Sequence, residues 1–156
     1  MKRVPFSDLK GQTFTDIYGL KEGSTQVVFV KSSRSGGYAL FHEQDCCEQV
    51  WLEDICGDPK DLIGMPILSA EEVSSNDSFN EKLEKEWNDM DQDSYTWTFY
   101  KISTIKGSVT LRFFGASNGY YSEEVTTGQL ESYEEIREWL SDFVHGDGDI
   151  VIPHVN

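Results

Sequence analysis

The chain has 156 residues and a net charge of −15, and 13% of its residues are aromatic. This length predicts a single domain over residues 1–156, with enough apolar material to bury a core. Residues 1–40 carry six basic and three acidic side chains, so the rest of the chain carries a net charge of −18. Such acidity argues against direct binding to nucleic acid or to anionic membranes, and it favours a basic partner protein, cations, or solubility alone. No apolar run is long enough for a transmembrane helix, and the N-terminus lacks the apolar core of a signal peptide.

The N-terminal part alternates β-branched or aromatic runs with turn residues, which is typical of an antiparallel meander. The predicted strands cover 12–20, 25–31 and 38–42. The stretch that follows allows two interpretations. Asp45 and Glu48 have the spacing of a capping box, which predicts a short helical turn. The alternation of Val50 with Leu52 instead predicts a bulged strand from Val50 to Ile55.

The second half repeats the strand pattern around an acidic insertion over residues 74–94. Within the insertion, Phe79, Leu83 and Trp87 have a spacing that predicts a short exposed helix, as an alternative to a long polar loop. Strands are predicted over 66–73, 95–105, 108–115 and 120–126. Asn118-Gly119 is a strong signal for a tight hairpin between the last two strands, because both residues tolerate positive φ.

Ser132 and Glu135 form a capping box that predicts a C-terminal helix over 132–144. Its apolar stripe consists of Tyr133, Ile136, Trp139, Leu140 and Phe143. The helix is expected to cover one face of a sheet, and 150–152 is expected to add an edge strand that ends at Pro153. The predicted fold class is therefore α+β, with two antiparallel meanders forming a bent sheet or small barrel under the C-terminal helix.

The stretch from Tyr38 to Asp58 concentrates the reactive side chains, namely His42 and the three cysteines Cys46, Cys47 and Cys56. An odd cysteine count and a strained vicinal pair predict a reduced, cytosolic protein. The spacings do not match a tetrahedral zinc site or a cysteine-protease signature, so we assign no metal, cofactor or catalytic residue. A small hydrolase that uses His42 with Cys46 and Cys47, with or without zinc, remains the alternative.

Polar groups at the end of an apolar strand need partners when they are partly buried. The predicted hairpin offers hydroxyls, an amide and a nearby guanidinium, and aromatic rings with a guanidinium can stack a base or bind a phosphate. We therefore predict one site for a ligand or partner that joins the two stretches. Its residues are His42, Asp45, Cys46, Cys47, Glu48, Asp54, Arg112, Asn118, Tyr120, Tyr121 and Ser122.

Several strings carry a resemblance: HEQDCCE (42–48), EDICGD (53–58), YTWTFYKISTIKG (95–107) and SNGYYSE (117–123). Over residues 10–126 the chain resembles an uncharacterised family of small proteins encoded mainly by bacteriophages and prophages. The resemblance implies expression in the cytoplasm of a bacterial host and implies no catalytic residue. By analogy with small acidic phage proteins, we expect a non-enzymatic accessory protein that inhibits or sequesters a bacterial host or defence factor. The bound factor is expected to be a protein or a small nucleotide-like ligand, and this interpretation leaves room for a homo-oligomer.

Overall fold

A computed structural model describes residues 1–31, 36–74, 94–144 and 151–152. Within these ranges the chain forms two antiparallel sheets, one α-helix and two 3-10 helices. The strands are β1 (Lys2–Arg3), β2 (Phe14–Tyr18), β3 (Gln26–Lys31), β4 (Gly37–Phe41), β5 (Gln49–Cys56), β6 (Ser69–Ser74), β7 (Ser94–Thr104), β8 (Gly107–Ser117), β9 (Thr126–Leu130) and β10 (Val151–Ile152). The helix α1 spans Tyr133–Val144, and the 3-10 helices span Phe6–Leu9 and Pro59–Leu62.

The strand order shows how the two predicted meanders are used. The first sheet has the order β1-β9-β4-β3-β2-β10, and the second has the order β5-β8-β7-β6. The chain crosses between the sheets after β8, because β9 pairs with β4 and β1 rather than with β8. The α+β class is confirmed. The first meander, β2-β3-β4, lies in the first sheet, and β7 and β8 of the second meander lie in the second sheet; within the described residues both sheets have a linear strand order.

The main core lies between the two sheets, because alternate residues of each strand point to the same face. Phe14 and Phe29 of the first sheet are fully buried there, with ring centroids 5.3 Å apart. Tyr100 and Phe113 of the second sheet join the same core, with centroids 5.8 Å apart. This apolar layer fixes which side chains of each strand can reach the ends of the sheets.

The helix α1 covers the other face of the first sheet, as predicted for 132–144. Ser132 Oγ accepts a hydrogen bond from the Glu135 backbone N–H at 3.2 Å, which is the N-cap contact of a capping box. Ile136 is buried against the sheet, and the Trp139 ring lies 4.9 Å from that of Phe41. No helix among the described residues has the length and apolar character needed to cross a membrane.

Two local predictions have clear outcomes. The helical turn at Asp45 is wrong and its alternative is confirmed: residues 42–48 are not helical, and β5 carries a bulge between Leu52 and Asp54. The edge strand near the C-terminus is confirmed, because β10 pairs with β2 at the end of the first sheet. The insertion, with its alternative helix around 79–87, lies outside the described residues except at its ends.

The predicted strand over 120–126 is wrong, and so is the tight hairpin at Asn118-Gly119. Asn118 Oδ1 accepts from the Tyr120 backbone N–H at 3.0 Å, and Gly119 adopts a φ of 90°. These local contacts turn the chain away from the ladder with β8. Regular pairing resumes only at Thr126, in the opposite sheet, so the stretch between them is a loop that joins the two sheets.

Candidate functional site

The segment from His42 to Glu48 connects β4 of the first sheet to β5 of the second and is bordered by three adjoining clefts. The first, here called the acidic cleft, has a volume of about 330 Å³. Its charged or titratable lining residues are Arg3, His42, Glu43, Asp45, Glu48 and Glu124. The second, of about 540 Å³, reaches Trp139 of α1, and the third, here called the thiol cleft, has about 750 Å³ and is lined by Cys46 and Cys47.

Glu48 is the last residue of this segment and is only 2% exposed. Its Oε1 accepts three hydrogen bonds: from the backbone N–H of Cys46 at 2.8 Å, from that of Asp45 at 3.1 Å, and from Gln44 Nε2 at 2.7 Å. The contact from Asp45 is the return contact of a capping box, made here without a helix. The carboxylate therefore fixes the backbone of the turn that carries the cysteines.

Burial of the Glu48 carboxyl acts to raise its pKa. The backbone N–H groups of Cys46, Asp45 and Glu48 itself, together with His42, outweigh burial and hold the pKa below its ordinary value. Hydrogen bonds donated to a carboxylate stabilise its charged form, and three donors are enough to offset the loss of water. Glu48 is therefore a buried negative charge at neutral pH.

His42 links this carboxylate to the loop after β8. Its side chain is 5% exposed, and Nδ1 lies 2.7 Å from the backbone carbonyl oxygen of Glu124. A carbonyl only accepts, so Nδ1 carries the hydrogen of this bond. Nε2 lies 3.4 Å from Glu48 Oε2, within ion-pair reach, although neither atom has a partner in hydrogen-bond geometry. Both ring nitrogens thus face protein atoms.

Cys46 and Cys47 are both exposed, and their Sγ atoms are 2.8 Å apart. The hydrogen bond and charge of Cys46 raise the pKa of Cys47, so this thiol stays protonated at neutral pH. Cys46 also raises the pKa of the Tyr121 hydroxyl, which places that side chain beside the pair. Cys56 lies apart, at the far end of β5, where its Sγ is 3.6 Å from Asp54 Oδ2.

The loop from Ser117 to Glu124 forms the other wall, and Glu123 anchors it. Glu123 is 8% exposed, and its two carboxylate oxygens accept from Thr96 Oγ1 at 2.9 Å and from Ser117 Oγ at 2.7 Å. The anchored loop presents Tyr120, which is 83% exposed. The Tyr120 ring packs edge-on against that of Tyr121, with centroids 5.0 Å apart.

The structure brings most of the predicted site residues to one region and leaves two elsewhere. His42, Asp45, Cys46, Cys47, Glu48 and Ser122 line the clefts, Tyr121 contacts the cysteine pair, and Asn118 and Tyr120 belong to the adjoining loop. Asp54 and Arg112 instead pair with each other across β5 and β8, on the face opposite the core. Arg112 Nε donates to Glu53 Oε2 at 2.7 Å, and its guanidinium carbon lies 4.9 Å from the centre of the Trp97 ring. These contacts occupy Arg112 in the packing of the sheet face.

Sequence reasoning missed five residues that line the acidic cleft: Arg3, Glu43, Gln44, Glu124 and Thr126. Arg3 reaches the cleft because β1 pairs with β9. The two strands are far apart in the sequence, and no local pattern predicts that they pair. Glu43 and Gln44 lie inside the HEQDCCE string, so their position beside His42 and Asp45 could have predicted them as lining residues. Among the described residues, no cluster of three or more His, Cys, Asp or Glu side chains is arranged to hold a metal ion.

A family model described as Domain of unknown function (DUF7448) matches residues 7–127. The chain belongs to this family. The match spans both sheets from the first 3-10 helix to the start of β9, so the cleft-bordering segment and the loop are parts of the DUF7448 domain. The expected relation to an uncharacterised family is confirmed in this form. Comparisons with curated proteins and with solved structures give no match.

Proposed function

We propose that this DUF7448 protein is a non-enzymatic binding protein whose acidic cleft accepts a basic side chain of a partner protein. The observation that carries this proposal is the composition of the cleft, which is lined by four carboxylates and one guanidinium. The carboxylates belong to Glu43, Asp45, Glu48 and Glu124, and the guanidinium belongs to Arg3. A cleft of this sign attracts cationic groups and speeds their association.

Arg3 illustrates the contact that the cleft offers to a guanidinium. Its Nη2 lies 2.7 Å from Glu43 Oε2, and both side chains are more than half exposed. An exposed pair of this kind contributes little to stability, since water screens it. A partner's arginine can therefore compete for Glu43 at small cost and gain the neighbouring carboxylates of Asp45 and Glu124.

The loop beside the cleft supplies an apolar anchor for the same partner. Tyr120 is 83% exposed, yet its backbone is held by the contact to Asn118 and by the Glu123 anchor. Exposed tyrosines on an ordered backbone are common binding hot spots, because little conformational freedom is lost on association. A basic partner surface with an apolar pocket would satisfy both features.

The resemblance to phage-encoded proteins supports the choice of target. We propose that the partner is a bacterial host or defence protein, met in the cytoplasm of the host, and that binding inhibits or sequesters it. A nucleotide-like ligand has weaker support, because its phosphates would face the four carboxylates of the cleft. Arg112, the residue once expected to bind phosphate, is engaged by Glu53 on another face.

A cysteine-dependent hydrolase also has weaker support. A thiol nucleophile needs a base and a lowered pKa, whereas the pKa of Cys47 is raised by Cys46. The only imidazole of the segment, that of His42, has its Nδ1 bonded to a carbonyl and its Nε2 facing Glu48. These contacts suit a structural link between the two sheets better than proton transfer to a thiol.

The test compares two triple variants that remove the same charge. Glu43→Gln, Asp45→Asn and Glu124→Gln neutralise the exposed carboxylates of the acidic cleft. The control neutralises three exposed glutamates away from it, with Glu71→Gln, Glu131→Gln and Glu134→Gln. Each protein is used to capture partners from a bacterial lysate, and the affinity for the captured protein is then measured from low to high salt.

We expect the cleft variant to bind at least about tenfold more weakly than the control variant, which corresponds to about 1.4 kcal/mol. We also expect wild-type affinity to fall steeply with salt, because charges are screened beyond about 10 Å at 0.1 M. Equal losses in the two variants would show that only net charge matters and would refute the cleft as the binding site. Affinity unchanged by salt would refute the electrostatic mechanism.

A further inference from the structure

The two adjacent thiols at the thiol cleft have a geometry that the proposed binding function does not use. Cys46 and Cys47 are both exposed, their Sγ atoms are 2.8 Å apart, and both side chains line a cleft of about 750 Å³. Sulfur atoms of neighbouring residues usually diverge on an extended strand, because successive side chains point to opposite faces. Here the turn between β4 and β5 brings them to the same side.

Hydrogen bonds to the backbone of Cys46 hold this turn in place. The Cys46 backbone N–H donates to Glu48 Oε1 at 2.8 Å, and Gln44 Nε2 donates to the Cys46 carbonyl oxygen at 3.3 Å. Gln44 Nε2 also donates to Glu48 Oε1, so both contacts involve groups that are bonded to the buried Glu48 carboxylate. The two thiols are therefore close to each other before any reaction, and the cleft gives a small molecule access to them.

We propose that Cys46 and Cys47 form a reversible dithiol–disulfide site that reacts with low-molecular-weight disulfides. One thiolate of the pair attacks a sulfur of the small disulfide, forms a mixed disulfide and releases one small thiol. The second thiol then loses its proton and attacks the protein sulfur of the mixed disulfide, which releases the other small thiol. Two electrons pass from the pair to the small disulfide, and the protein gains one S–S bond.

The product is a vicinal disulfide, which is strained because the two Cα atoms are neighbours along the chain. Strain and exposure make a disulfide easy to reduce, so this bond opens again when reductant is supplied. The site thus differs from a structural disulfide, which resists reduction.

Cys56 provides the internal control, because it is an exposed single thiol at the far end of strand β5, away from the pair. Three variants are prepared: Cys56→Ser, which keeps the pair, and Cys46→Ser and Cys47→Ser, which each break it. The folded proteins are incubated at low concentration with oxidised glutathione, and remaining thiols are then blocked with an alkylating reagent. Intact mass is measured before and after treatment with a dithiol reductant.

We expect Cys56→Ser to lose two hydrogen atoms, carry no glutathione, resist alkylation and return to its starting mass on reduction. We expect Cys46→Ser and Cys47→Ser to stop at the mixed disulfide, each carrying glutathione on its remaining thiols. A Cys56→Ser protein that keeps glutathione adducts, stays open to alkylation or forms a covalent dimer would overturn the proposal. None of these results depends on the acidic cleft, so they are independent of the proposed binding function.

A second measurement tests the geometry without oxidation. Phenylarsine oxide, a trivalent arsenical, reacts with two neighbouring thiols to form two As–S bonds and release one water molecule. Cys56→Ser is expected to bind one equivalent of phenylarsine oxide. A competing small dithiol is expected to remove the arsenical from the protein. Binding of equal strength to Cys46→Ser, which offers only separated thiols, would show that the pair is not the reactive unit.

Discussion

The anchor of the Ser117–Glu124 loop gives the sharpest test of how the site is held together. The perturbation is Glu123→Ala. In the native chain Glu123 accepts from Ser117 Oγ at 2.7 Å and from Thr96 Oγ1 at 2.9 Å. An orphaned buried donor costs about 1–3 kcal/mol. Ser117 is 1% exposed and cannot turn to water, so its hydroxyl bears this cost. The half-buried Thr96 can turn to water and loses only the net value of its hydrogen bond, about 1 kcal/mol. The expected loss in unfolding free energy is therefore about 2–4 kcal/mol.

The assay is urea unfolding followed by tryptophan fluorescence, with a thermal melt beside it. For a chain of this size, each kcal/mol lowers Tm by about 2–4 °C, so the melt is expected to fall by about 4–16 °C. Glu124→Ala is the matched control, because Glu124 is the exposed neighbour in the same loop, and its change is expected within about 0.5 kcal/mol. Glu123→Gln keeps the shape and one acceptor, so it is expected to lose less than Glu123→Ala. Equal losses at the two positions would refute the reasoning, since the anchor would then have no special role.

Three further outcomes are expected. The pKa of Glu48 is lowered in the folded chain, so this carboxylate contributes stability that is fully present above its ordinary pKa of 4.5 and is lost as the pH falls through the lower folded pKa. Measurements of unfolding free energy against pH are therefore expected to show wild type and Glu48→Gln converging below pH 4.5. Parallel curves for the two proteins would contradict this. Arg112→Ala is expected to lower the unfolding free energy by about 1 kcal/mol through lost contacts with Glu53 and the sheet face, measured by urea unfolding, without changing partner affinity. Tyr120→Ala is expected to weaken partner binding more than about tenfold at unchanged stability, in contrast to Tyr133→Ala, which changes a tyrosine that is 47% exposed at the start of α1; equal effects would argue against the loop as a hot spot.

The strands could be predicted from the sequence where apolar alternation is local, and this accounts for most of the fold. The pattern over 95–105 and 108–115 places β7 and β8 within a few residues, since alternating aromatic and β-branched side chains fit one buried face. The same alternation cannot say which sheet a strand joins. β9 lies in the first sheet because it pairs with β4. The paired residues Gly128 and Ala39 are 89 positions apart in the sequence, and no local pattern predicts such pairing.

The positions of Asp54 and Arg112, which lie away from the clefts, show the same limit. Arg112 was expected near the clefts because it lies close in sequence to the SNGYYSE string. Strand alternation puts it on the face opposite Leu111 and Phe113, which are both buried in the core between the sheets. The bulge after Leu52 then aligns Asp54 with Arg112, and neither can reach the cleft end of the sheets.

Glu48 shows what a local pattern does determine. The Asp45–Glu48 spacing predicted a hydrogen bond from the Asp45 backbone N–H to the Glu48 carboxylate, and that bond is present without the helix it usually begins. The helix is absent because the next residues are needed for β5, and the carboxylate is also used by His42, whose other nitrogen binds the Glu124 carbonyl, 82 positions away. Spacing therefore predicts which atoms bond, while contacts between the sheets decide the backbone that presents them. It follows that the cleft is a property of the joined sheets, and any change that separates the loop from β4 should alter the cleft before it alters either sheet.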